Sequence, residues 1–153
     1  MSVSKLSVEE RHKMIAEAAY FRAQGRGFDG RDAVADWIEA ESEINARLRQ
    51  IEHNALLDRL RERLAAAAEN LRTLRGKVSR KKAEARAEWQ KDLEKLAQSR
   101  AVLEHKLDEL GARGQQASRK LREQAEEIAA ELSRKISELG DRLSARRRSP
   151  AKD

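Results

Sequence analysis

The sequence predicts an all-α fold, and three observations carry that prediction. Apolar residues recur at alternating steps of four and three: past Trp89 they read Leu93, Leu96, Leu103, Leu107 and Leu110, then Ala117, Leu121, Ile128, Leu132, Ile136, Leu139 and Leu143. That spacing places one narrow apolar seam along a helix. Charged residues make up 39% of the chain and aromatic residues only 3%, so a thick globular core is not expected. The single proline is Pro150, and what precedes it is rich in strong helix formers, which favours helix over disorder.

The first element is expected to begin at Ser7-Val8-Glu9-Glu10. This is a capping-box pattern, in which Ser7 accepts from a free backbone N–H and Glu10 reaches back to Ser7. The helix should continue through Met14, Ile15, Ala18, Ala19 and Phe21 and stop at Gly25 and Gly27, residues that easily take the left-handed conformation ending a helix. A loop follows over Gly25-Arg26-Gly27-Phe28-Asp29-Gly30, with Asp29 the expected cap of the next helix. That helix carries Val34, Trp37, Ile38, Ile44 and Leu48. The prediction is a short N-terminal helical hairpin with a small core of Ile15, Ala19, Tyr20, Phe28 and Trp37. Rings are the natural core of so small a unit. The glycine loop is not a phosphate cradle, because it lacks a preceding strand and the Lys-Ser/Thr ending of a P-loop.

These residues carry a resemblance. Ile15-Ala16-Glu17-Ala18-Ala19-Tyr20, then Gly25-x-Gly27, then Asp36-Trp37-Ile38-Glu39-Ala40-Glu41 resemble the DUF2934 family over about residues 10–45. The resemblance implies a bacterial module folded as a helical hairpin, and it implies no activity.

No helix breaker occurs from Arg31 to Arg75. The seam shifts phase near Asn54-Ala55-Leu56-Leu57 and continues as Leu60, Leu64, Leu71 and Leu74, a stutter that locally relaxes a supercoil. It is weakest from Gly76 to Lys82, and whether Gly76 breaks the helix stays open, since one interior glycine costs only ~1 kcal/mol. A turn between helices is expected at Gly111-Ala112-Arg113-Gly114. After it, Leu121, Leu132 and Leu143 are eleven apart, a repeat that relaxes or reverses a supercoil. The organisation predicted is a hairpin module over 1–45, long coiled-coil helices over 46–145, and a basic tail over 146–153.

The stretch Ala85-x-Ala87-Glu88-Trp89-Gln90-Lys91-x-Leu93, then Leu103-x-x-Lys106-Leu107-x-Glu109-Leu110, then Gly114-x-x-Ala117, resembles a family of small bacterial coiled-coil stress-response proteins. The family's tryptophan after the glycine is missing, with Ala117-Ser118 in its place. The resemblance implies a non-enzymatic, stress-linked protein.

Chemistry is poorly represented. Cysteine is absent, which excludes disulfides and thiolate metal sites. His12, His53 and His105 are scattered and are expected to face solvent. Carboxylates pair along helices instead of standing in apolar settings: Glu43 with Arg47, Glu131 with Lys135 and Glu138 with Arg142 are each four apart. No catalytic, cofactor-binding or metal site is expected, and no small-molecule substrate. No apolar run is long enough to span a bilayer, and Met1 to Ser7 holds no apolar leader core, so the expected location is cytoplasmic.

The net charge of +6 is uneven: residues 1–50 hold eight basic and nine acidic groups, so the excess lies beyond them. Arg72, Arg75, Lys77, Arg80, Lys81, Lys82 and Arg86 surround a single acid, Glu84, and Arg72, Arg75, Lys82 and Arg86 are expected on one helical face. Arg146, Arg147 and Arg148 form a second cluster. A stripe this narrow needs a partner, either in the same chain or from another copy, and the leading expectation is a structural or interaction protein that self-associates through the seam or pairs with another helical protein. Its seam would be Leu60, Leu64, Leu71, Leu74, Trp89, Leu93, Leu96, Leu103, Leu107 and Leu110. The rival is a protein that binds nucleic acid or an anionic membrane surface through the two basic clusters.

Overall fold

The computed structural model describes residues 6–29 and 32–145. They form α1 (Val8–Gly25), α2 (Ala33–Ser79), α3 (Ala83–Arg113) and α4 (Arg119–Ala145), with a 3-10 turn at Gly114–Gln116 before α4 and no strand among the described residues. The chain divides into two compact units between Leu56 and Leu57. The basic tail, with Arg146, Arg147 and Arg148, lies outside the described residues.

The first unit is the expected hairpin. The capping box forms, with the Glu10 backbone N donating to Ser7 Oγ at 3.1 Å and the Ser7 N donating to Glu10 Oε2 at 2.8 Å. The helix ends in a Schellman pattern: the Gly27 N–H reaches Gln24 O and the Phe28 N–H reaches Ala23 O, both at 2.9 Å. Gly27, at φ 70°, supplies the left-handed residue this closure needs. The cap of α2 is Asp32 and not Asp29: Asp32 Oδ1 accepts from the Val34 N–H at 3.0 Å.

The core of this unit also differs from expectation. Ile15, Ala40 and Ile44 are buried, with Met14, Ala18, Ala19, Trp37 and Leu48 packed against them. Tyr20 and Phe28, expected inside, are 54% and 63% exposed. Alanines at 18, 19 and 40 keep the core between the two helices small, and Trp37 alone of the expected rings packs against it. Val34 and Ile38, expected to pack with Trp37, also face solvent.

The second unit holds the end of α2 together with α3 and α4. Helix α2 runs through Gly76 and stops at Ser79. Leu74 and Val78 are buried on either side of that glycine, and their burial outweighs its helix penalty. Lys82, in extended conformation (φ −61°, ψ 151°), then opens α3. The second turn is also displaced. Gly111 stays inside α3, and Gly114, at φ 55° and ψ −132°, makes the reversal. Ser118 Oγ accepts the Leu121 N–H at 3.1 Å and caps α4.

Cross-helix contacts fix the register as up, down, up. Arg61 reaches to 3.9 Å of where a Cβ on Gly111 would stand, and Val78 and Ser79 line a cleft with Gln90 and Leu93, which together set α2 antiparallel to α3. Lys106 Nζ donates to Gln124 Oε1 at 3.2 Å, and Arg142 meets Asp92 at 3.5 Å, which sets α3 antiparallel to α4. Arg59 pairs with Glu126 at 3.8 Å, and Leu74 Cδ2 lies 3.8 Å from a Cβ built on Gly140, so α2 and α4 are parallel.

Candidate interaction site

The seam residues meet inside this three-helix bundle. Leu60, Leu71, Leu74, Trp89, Leu93, Leu96, Leu103, Leu107 and Leu110 are all buried within a single chain, and Leu64 is half-buried. From α4 come Leu121, Ala125, Ala129, Leu132, Ile136, Leu139 and Leu143. A stripe this narrow needs a partner helix, and among the described residues three stripes of one chain are buried together. Trp89, 2% exposed, is the largest side chain in that interior, and the Arg142 guanidinium carbon stands 5.0 Å from its ring centroid. Arg100 occupies the seam step between Leu96 and Leu103, and its Nε is buried without a hydrogen-bond partner.

Of the histidines, His12 and His105 are exposed as expected, but His53 is 2% exposed. The signal was legible, because His53, Leu56, Leu57 and Leu60 follow the spacing of an apolar helix face. His12 packs on Trp37 with ring centroids 4.8 Å apart. Among the described residues no three His, Asp or Glu side chains are placed to hold a metal ion, and no helix is long and apolar enough to cross a membrane.

Ionic contacts follow the helix register. Glu43 pairs with Arg47 at 3.6 Å and Glu131 with Lys135 at 2.8 Å, as their spacing predicts. Arg142 turns instead to Asp92, and Glu138 takes Arg134 at 3.8 Å. The Lys135 ammonium, bonded to Glu131, holds that carboxyl below the ordinary glutamate range. In the hairpin unit, Arg11 reaches Asn45 Oδ1 at 2.7 Å and Glu41 at 3.2 Å, and Arg22 bridges Glu39 and Glu43 at 2.6 and 3.0 Å. Arg26 pairs with the buried Asp36.

Two surfaces remain. On the hairpin unit, Tyr20 stacks against Phe21 and Phe28 with ring centroids 5.9 and 5.7 Å apart, and all three rings face solvent. Beside α1 runs an open groove of about 490 Å³ lined by Met14, Ala18, Phe21 and Ile44, with Glu17, Arg22, Glu43 and Arg47 at its rim. On the bundle, the basic cluster is split by the turn at Arg80–Lys82. Arg72 and Arg75 belong to α2, while Lys82 and Arg86 belong to the start of α3. They therefore do not share one helical face, and form a corner at one end of the bundle.

Residues 10–46 match the family model described as protein of unknown function (DUF2934). The match covers α1, the loop and the first turns of α2, the segment that holds Ile15, Ala40 and Ile44. No curated protein and no solved structure matches the chain. The likeness of the later helices to coiled-coil stress-response proteins rests on the residues quoted above.

Proposed function

We propose that this is a non-enzymatic structural or interaction protein, whose closed helical bundle carries the DUF2934 hairpin as its contact module. The observation behind this reading is an asymmetry of apolar exposure. Leu6, Val8, Tyr20, Phe21, Phe28, Val34, Ile38 and Ile51 are exposed large apolar residues of the first unit, and in the second unit Val102 alone joins them among the described residues. Large apolar side chains left outside one small hairpin favour a protein partner there. The partner we assign is a second copy of the chain, meeting through Tyr20, Phe21 and Phe28. The seam leucines then hold the bundle together and do not join copies. A stress-linked role and a cytoplasmic setting are part of this reading, the first carried by the resemblance of the coiled-coil segment alone.

Light scattering on the full chain tests the assignment. The expected mass of the wild type is a multiple of the 17.4 kDa chain, falling to one chain in Phe21→Ser/Phe28→Ser with helical circular dichroism retained. A wild type that stays at 17.4 kDa across the concentration range overturns self-association through the module.

A further inference from the structure

The turn that splits the basic cluster also sets it beside the end of α4. Helices α2 and α4 run parallel with Leu74 beside Gly140, so the end of α4 comes level with the end of α2. Leu143 and Ser144 line a cleft together with Lys77, Arg80 and Lys81. Arg146, Arg147 and Arg148 follow Ala145 directly in the chain.

The charge is far more than the fold needs. Residues 72–86 hold seven of the 33 basic residues and one of the 27 acidic ones, Glu84, so the rest of the chain is balanced in charge. Two helix C-termini at this end, each worth about half a negative charge, are partly offset by the N-terminus of α3. They call for one or two cations. Among the described members of the first cluster, Arg72 alone is in an ion pair, with Glu69 at 3.8 Å. The other six crowd like charges together with no ion pair to offset them, a repulsion that goes unrewarded inside the protein.

We propose that this end of the bundle binds the phosphate backbone of duplex nucleic acid, a surface beyond the assembly role given to the hairpin. No exposed large apolar side chain lies between residues 72 and 86 or 141 and 145, so the surface has nothing to insert below a lipid headgroup layer. Nor does it carry an exposed ring on which single-stranded bases could stack, since Trp89 is buried. Clustered cations without rings or base-reading side chains fit phosphates of either strand, with little sequence preference and strong dependence on salt.

The test uses the full chain and a short labelled DNA duplex of arbitrary sequence, followed by fluorescence anisotropy between about 50 and 200 mM salt. The wild type should bind at low salt, with affinity falling steeply as salt rises. Arg80→Glu/Lys81→Glu/Lys82→Glu should weaken binding more than tenfold and lower the slope of log affinity against log salt by about three. The three positions lie in a turn and make no hydrogen bond from their side chains, so the fold should persist, with helical circular dichroism retained and the melting temperature lowered only slightly by the lost cations at the α2 C-terminus. Lys91→Glu/Lys95→Glu/Lys120→Glu makes the same charge change on exposed α3 and α4 positions and should retain most of the binding. Overturning results are no anisotropy change for the wild type at low salt, equal losses for the two triple variants, or binding to anionic lipid vesicles without binding to the duplex.

Discussion

The hairpin unit and the three-helix unit are built from the same helix-forming alphabet, yet they treat apolar area in opposite ways. In the bundle nearly every large apolar side chain is inside, around Trp89, Leu103, Leu110 and Leu132. In the hairpin the core is Ile15, Ala40 and Ile44, held at its edges by Arg11, Arg22 and Arg26 bonding across to α2, while three aromatic rings stay outside. The difference teaches that a seam repeating over three helices can close on itself. A hairpin of two helices with small residues between them half-shelters one ring, Trp37, and leaves Tyr20, Phe21 and Phe28 outside.

The sharpest way to break that contrast is to empty each side of it. Trp89→Ala should cost about 3–5 kcal/mol in denaturant unfolding, because it opens a cavity that close-packed neighbours cannot fill. Phe28→Ala, compared at a concentration low enough to leave single chains, should cost less than about 0.5 kcal/mol, because its ring then lies in solvent. Comparable losses for the two would mean that the aromatic cluster is core after all. A smaller effect separates ionic from apolar support in the hairpin. Arg26→Ala strips the buried Asp36 carboxylate of its cation and should cost about 1–3 kcal/mol, read as loss of helical signal at lower denaturant. The bundle offers the smallest effect, at Glu131. Its carboxyl is held low by Lys135, so the pair's support is present above the ordinary glutamate range and is lost as pH falls through the lowered value. An NMR titration should place the Glu131 midpoint below that of an isolated glutamate, returning to it in Lys135→Ala. The side chain is exposed, so the melting temperature should barely respond.

Much of this was legible in the sequence where the physics is local. The Ser7–Glu10 capping box depends on residues three apart, and both of its bonds form. The leucine periodicity marked the buried face of α3 without error from Trp89 to Leu110. The segment resembling DUF2934, read from its Ala-Tyr and Asp-Trp elements, is matched over residues 10–46. What escaped was tertiary. Helix α2 ends at Ser79, with no glycine or proline to announce it, because the bundle needs its turn there and Lys-rich sequence tolerates any conformation at a surface. The fate of Tyr20 and Phe28 depended on how small a core the two helices enclose, which Ala40 helps decide from the other side of the hairpin. The meeting of Lys77, Arg80 and Lys81 with the end of α4 follows from the parallel register of α2 and α4, which no spacing in one helix encodes.

The central claim is that the leucine seam is satisfied within one chain. Chemical unfolding of Phe21→Ser/Phe28→Ser, followed by helical circular dichroism over about a hundredfold range of protein concentration, tests it directly. With the module's rings removed, a seam closed within the chain gives one midpoint at every concentration. A midpoint that climbs steadily with concentration would contradict the account, because it would mean that Leu103, Leu107 and their neighbours find their partners on another molecule.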